Sequence, residues 1–151
     1  MERGILGTDV VTQVGVLVRD IEKTARAWAD FLGVETPEIR MTDEAQKART
    51  RYRGKPSPAR AKLAFFDIGP GIQLELIEPT AEPSTWRDDL DRKGEGFHHL
   101  AFEIEGMKDK IARLGESGMG VLQTGEYTGG RYAYIDATRD LKLVLELLEN
   151  D

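Results

Sequence analysis

The sequence predicts an α+β fold made of two tandem β-α-β-β-β units, and three observations predict it. Residues 10–18, VVTQVGVLV, alternate in the β-branched manner of a strand and run straight into an amphipathic helical stretch. The same strand-then-helix order returns in FHHLAFEIEGMKDKIARLGESGM, residues 97–119. Each occurrence leads into further strands, so what repeats is the order of elements. Two equal units of this kind pack around a pseudo-two-fold axis with a site between them.

The first helix is written in RDIEKTARAWADFLGV. Ile21, Ala25, Trp28, Phe31 and Leu32 recur at helical spacing, Asp20 stands where an N-cap belongs, and Gly33 stands where a helix stops. Residues 35–60 are polar, and Pro37, Gly54, Pro56 and Pro58 break any long element there. AKLAFFDIG (61–69) and IQLELIEP (72–79) read as a hairpin turning at Pro70-Gly71. The linker that follows holds one short helix carrying Trp86 and Leu90. In the second unit Met107, Ile111 and Leu114 form the helical stripe, and Gly118 or Gly120 ends it. VLQTGEY (121–127), GRYAYIDAT (130–138) and LKLVLELLE (141–149) complete it as three strands.

A chain of 151 residues is long enough for one domain with a proper core and too short for two. Residues 1–151 therefore read as a single domain, with a first module over about 10–79, a linker over 80–96 and a second module over about 97–149. The net charge of −6 argues against nucleic acid as a partner. The absence of cysteine excludes disulfides, thiolate metal sites and a cysteine nucleophile. The opening MERGILGTDV lacks a charged segment followed by an apolar one, and no apolar run nears the roughly 20 residues that span a bilayer. No membrane association and a cytoplasmic location are expected.

Strand faces then single out candidate residues. Side chains alternate along a strand, so Val14, Val16 and Val18 share one face, and Gln13, Gly15 and Leu17 the other. In IQLELIEP the aliphatic face is Ile72, Leu74 and Leu76, with Glu75 on the reverse. In LKLVLELLE it is Leu141, Leu143, Leu145 and Leu147, with Glu146 on the reverse. In GFHHLAFEI strict alternation puts His98 with Leu100, Phe102 and Ile104, at the edge of the helix-covered layer, and His99 with Ala101 and Glu103. Helices must cover the aliphatic faces, so Gln13, Glu75, His99 and Glu146 point to the concave side of the sheets. Two carboxylates, an imidazole and an amide oxygen suit a six-coordinate divalent ion with a position left for substrate.

The stretches VTQVGVLVRDIEKTARAWADFLGV, IQLELIEP, GFHHLAFEI and LVLELLE resemble the vicinal oxygen chelate superfamily, which includes glyoxalase I, methylmalonyl-CoA epimerase, extradiol dioxygenases and bleomycin-resistance proteins. The resemblance runs from about Thr12 to Glu149. It implies two βαβββ modules forming a curved, barrel-like mixed sheet with helices outside, one divalent ion (Zn, Ni, Co, Mn or Mg) on Gln13, Glu75, His99 and Glu146, and a homodimer. The build around LELIEP and GEGFHHLAFEI resembles methylmalonyl-CoA epimerases, although those begin the first strand with histidine where Gln13 stands here. The acid they carry before the third strand falls near Ser57 or Pro58, neither of which takes a proton. The Gln, Glu, His, Glu set resembles glyoxalase I.

Both chemistries abstract a proton next to a metal-bound carbonyl of an acyl-thioester or 2-oxo substrate. The resemblance to glyoxalase I implies that Glu146 is the catalytic base as well as a ligand, with Glu75 its symmetric partner, able to return the proton. A glyoxalase I-type lactoylglutathione lyase is the alternative, and a non-catalytic binding or resistance protein a second. A dioxygenase normally needs a second histidine ligand, which the strand period denies to His98. The segment RTRYRGKPSPARAK (49–62) carries six basic residues and no acidic one. It reads either as a solvated loop or as an anion-binding flank, with Arg53 and Arg60 best placed to hold an anionic small-molecule substrate. Tyr132 and Tyr134 share a face by alternation; Tyr134 is the candidate substrate contact, core packing the other reading.

Overall fold

Strand β1, Gln13–Leu17, buries every second residue, and helix α1, Ile21–Leu32, follows it in this computed structural model, which describes residues 4–151. Residues 1–3, part of the single-domain reading, lie outside the described residues. The ends of α1 are those written in the sequence. The Lys23 backbone N–H donates to Asp20 Oδ1 at 3.1 Å, and Gly33 closes the helix in the left-handed conformation at φ 70°. Ile21, Ala25 and Ala29 form its buried stripe.

The polar stretch after α1 yields four small elements: β2 (Arg40–Met41), α2 (Ala45–Ala48), β3 (Arg51–Tyr52) and β4 (Lys55–Pro56). Only β2 pairs within the first module. The β3–β4 hairpin crosses over and adds to the edge of the second. Proline supplies no ladder donor, which keeps these strands short and at an edge. The remaining elements are β5 (Ala61–Asp67), β6 (Gln73–Pro79), α3 (Thr85–Lys93), β7 (Gly96–Glu103), α4 (Met107–Glu116), β8 (Val121–Tyr127), β9 (Gly130–Ala137) and β10 (Leu143–Asn150).

The strands form one curled sheet in the order β2-β5-β6-β1-β7-β10-β9-β8-β3-β4. Its symmetry is visible in the pairings: β1 runs parallel to β6 as β10 does to β7, and β1 and β7 meet antiparallel at the centre. Helix α1 covers Ala64, Phe66, Leu74 and Leu76 on the outer face, and α4 covers Ile135, Leu145 and Leu147. Helices outside is therefore right for these two. Helix α3 differs, because its Trp86 and Leu90 pack with Leu17, Ile77, Tyr134 and Val144, which lie on the inner face. The linker has to pass across one end of the concavity, and α3 closes that end. Ser84 Oγ caps it by accepting from the Arg87 N–H at 2.9 Å, and the Thr85 N–H donates to Gln123 Oε1 of β8 at 2.8 Å.

One strand departs from regular alternation. Gly15 lies opposite His99, but Val16 lies opposite Phe97, so β7 carries His98 as an extra residue. This β-bulge overturns the expectation that His98 shares a layer with Phe102 and Ile104. Those two pack under α4, whereas His98 is buried between α3 and the inner face.

Candidate metal centre

Gln13, Glu75, His99 and Glu146 come from β1, β6, β7 and β10, the four central neighbours of the sheet. All four are buried, between 0% and 7% exposed. His99 Nε2 lies 3.1 Å from Glu146 Oε1, 3.7 Å from Glu75 Oε1 and 2.9 Å from Gln13 Oε1. With the Gln13 amide turned over, its nitrogen donates to Glu146 Oε1 at 2.9 Å and Glu75 Oε1 at 3.3 Å. One donor atom from each of Glu75, His99 and Glu146 lies within 4.8 Å of the other two.

Gly15 makes this convergence sterically feasible. It stands in register with both Glu75 and His99, and a Cβ at this position would come within 2.1 to 2.7 Å of the His99 ring. Only a residue without a side chain lets the imidazole lie across β1.

Burial dominates the electrostatics. It pushes Glu146 up to about 8 and Glu75 well above the usual carboxylate range, the Glu146 charge adding to the effect on Glu75. Burial lowers His99 to about 3. Two carboxylates thus face each other out of water with a neutral imidazole between them. A divalent cation is the partner such a set lacks, and two carboxylates, an imidazole and an amide oxygen are donors that such an ion accepts. The residues present fit the ion.

His98 stands behind His99 and supports it. Their Nδ1 atoms are 2.9 Å apart, and His98 Nε2 lies 3.2 Å from Thr85 Oγ1 and 3.5 Å from Asp89 Oδ2. With His99 Nε2 turned to the acids, its Nδ1–H donates to His98 Nδ1, and His98 Nε2–H donates toward α3. A chain of this kind holds the orientation and tautomer of a ligating histidine. His98 is kept from the ligand set by standing behind His99, not by facing the opposite layer. On the other side, Trp86 Nε1–H donates to the Tyr134 hydroxyl at 2.9 Å, and that hydroxyl hydrogen-bonds Glu146.

A cavity of about 460 Å³ opens onto the centre and is lined by Gln13, Glu75, Glu146, Tyr132 and Tyr134, among others. Tyr134 thus lines the cavity and packs in the core at once. Neither of the two arginines singled out in the basic segment lines this cavity. Arg60 Nε donates to the Thr42 carbonyl at 2.9 Å, and Arg53 lies beyond α3, 4.0 Å from Asp88. Ser57 and Pro58 also lie away from this cavity, the Ser57 hydroxyl being bound to Pro83 O. Sequence reasoning missed Gly15, Trp86 and the position of His98. For Gly15 a signal existed, a glycine interrupting a β-branched strand two residues from Gln13 and on the same face.

The model of the Glyoxalase/Bleomycin resistance protein/Dioxygenase superfamily matches residues 12–134. A 2-epi-5-epi-valiolone epimerase from Actinomyces sp. is 28% identical over 95% of this chain and 81% of its own length. The ethylmalonyl-CoA/methylmalonyl-CoA epimerase of Cereibacter sphaeroides is 27% identical over 77% of this chain and 76% of its own. Among solved structures, methylmalonyl-CoA epimerase from Mycobacterium tuberculosis superposes with a TM-score of 0.65 at 20% identity, covering 93% of this chain and 87% of that one.

Proposed function

The chain belongs to the glyoxalase/bleomycin resistance protein/dioxygenase superfamily, and from that premise we propose that it is a divalent-metal-dependent epimerase or isomerase that moves a proton at the carbon next to a substrate carbonyl. The observation that carries this reading is the pair of buried carboxylates, Glu75 and Glu146, on either side of one imidazole at the head of one cavity. A protein that only binds a ligand gains nothing from two carboxylates held out of water without a cation. Two curated relatives named as epimerases support the same reaction class.

Gln13, Glu75, His99 and Glu146 would hold the ion. A divalent ion in that position supplies Lewis-acid polarisation of a carbonyl oxygen. The remaining steps belong to the chain itself. Glu146 takes the proton from the α-carbon, and the electron pair of the broken C–H bond moves to the carbonyl oxygen. Tyr134, held by Trp86, fixes the Glu146 carboxylate through a hydrogen bond. Glu75, across the pseudo-two-fold axis, starts protonated and delivers its proton to the opposite face as the electron pair returns from the oxygen to the carbon, so that the carbon is inverted and Glu146 keeps the proton it took. Helix α3 closes the far end of the concavity and keeps water from the pair.

Metal analysis of protein purified without chelator tests the reading, with His99→Ala and Glu146→Gln beside the wild type. About one equivalent of Zn, Ni, Co, Mn or Mg is expected in the wild type and a large loss in both variants. Wild type without metal, or variants that hold as much, would overturn it. The same donor set resembles that of glyoxalase I, and a hemithioacetal assay run beside solvent-deuterium exchange separates lyase from epimerase.

A further inference from the structure

The charges that line the cavity point to the substrate class, an inference that rests on the proton-transfer reading above. Asp43, Glu103 and Glu126 line the same cavity as Glu75 and Glu146, and Arg40 is the one cation among its described lining residues. A divalent ion offsets whatever charge Glu75 and Glu146 carry. Of the other three carboxylates Glu126 is paired with Arg49, and the Arg40 guanidinium is largely exposed and paired with Glu38 at 3.4 Å, which leaves Asp43 and Glu103 with no cationic partner among the described residues. The basic segment does not correct this balance. Arg49 is paired with Glu126 at 3.4 Å, Arg51 donates to the Gly54 carbonyl, Arg53 faces Asp88 and Arg60 holds Thr42 and Glu44.

A carboxylate or phosphate entering such a cavity meets like charge on its wall, an unfavourable approach that selects against anions. A hydroxyl meets the opposite situation. It is a donor, and Asp43, Glu103 and Glu126 are acceptors. The rest of the wall alternates neutral polar groups such as Thr50, Tyr127 and Gln73 with apolar ones such as Phe65. That mixture suits the hydroxyl edges and C–H faces of a polyol.

We infer that the substrate is an uncharged, hydroxyl-bearing ketone, rather than an anionic acyl thioester or 2-oxo acid. The reaction then breaks one C–H bond beside the ketone and forms one on the opposite face. No electrons leave the substrate and no co-reactant is consumed.

The metal-loaded protein, its metal content checked, would be incubated in D₂O with a cyclic polyhydroxy ketone such as an inosose, with methylmalonyl-CoA, and with pyruvate as the 2-oxo acid. Deuterium at the α-carbon is read by mass spectrometry. The expected result is exchange into the inosose with kcat/KM at least tenfold above either anion. Preferential exchange into methylmalonyl-CoA or pyruvate overturns the substrate class while leaving the proton-transfer reading intact. No exchange into any of them overturns that reading and the inference with it. Saturation-transfer NMR on metal-free protein adds a binding readout, in which the inosose shows contact and pyruvate none. Glu103→Gln is expected to lower the KM for methylmalonyl-CoA severalfold without lowering that for the inosose; a fall in both speaks against charge selection.

Discussion

At the scale of single residues, the site is a problem of burying charge. Glu146 in the metal-free protein prefers to be protonated, with its value raised from 4.5 to about 8 by burial. The unfolded chain gives up this proton near 4.5 and the folded chain near 8, so the folded state binds more protons between them. Metal-free stability therefore falls as pH rises through that window. Glu146→Gln removes the effect. The metal-free variant should melt several degrees above wild type at pH 8, with the difference shrinking toward pH 4.5; a thermal melt series across pH checks this. The histidines run the other way. His98 and His99 are lowered to about 3 by burial, so their neutral forms stabilise the fold above 6.5 and that contribution is lost as pH falls. His98→Ala should weaken metal binding about 10- to 100-fold, as removing a partner of a ligating histidine typically does. His98→Asn, which can place an acceptor near His99 Nδ1–H, should recover part of the loss. Competition against a chromogenic chelator measures both.

At the scale of elements, the bulge in β7 and the glycine in β1 act together. The bulge puts both histidines on the inner side, and Gly15 leaves the space that His99 occupies. Gly15→Ala places a methyl group inside the van der Waals radius of a fully buried ring, which has no free direction to move. We expect it to cost about 1–3 kcal/mol of stability, as overpacking does, and to abolish stoichiometric metal binding. Denaturant melts and metal analysis of the same preparation read the two effects. Helix α3 is the second linked element, reaching His98 through Thr85 and Asp89, and Glu146 through Trp86 and Tyr134. Trp86→Phe keeps the packing and removes the donor to Tyr134. It should reduce the rate of α-proton exchange while leaving metal content near wild type.

At the scale of the whole molecule, an ion held by Gln13, Glu75, His99 and Glu146 would tie together strands from both modules, so its binding should appear as global stability. Metal at 100 times its Kd adds about 2.7 kcal/mol, which for a domain of this size raises Tm by roughly 5–10 °C. Because the carboxylates are partly protonated at neutral pH, binding should also release protons. Calorimetry in buffers of different ionisation enthalpy would show a release that declines as pH rises past about 8, where Glu146 is already ionised.

Much of this was legible in the chain. Periodicity located α1 with both of its caps, the paired modules, and the strand faces that carry Gln13, Glu75, His99 and Glu146. These are local properties, since a period of two or 3.6 and a capping residue act within a few positions of the backbone. Pairing across the sheet was decided elsewhere. The β3–β4 hairpin joined the second module, α3 turned inward, Arg53 took a partner on α3, and Arg60 bound the Thr42 carbonyl and faced Glu44. Each outcome depends on which surfaces remain open once both modules have closed on each other. The histidine pair shows the division most sharply. Alternation along β7 alone sends His98 and His99 to opposite layers, and it puts His99 on the concave face beside Glu75 and Glu146. Only the pairing of β7 with β1 adds the bulge that brings His98 back behind it, because register is a relation between two strands and is written in neither one alone.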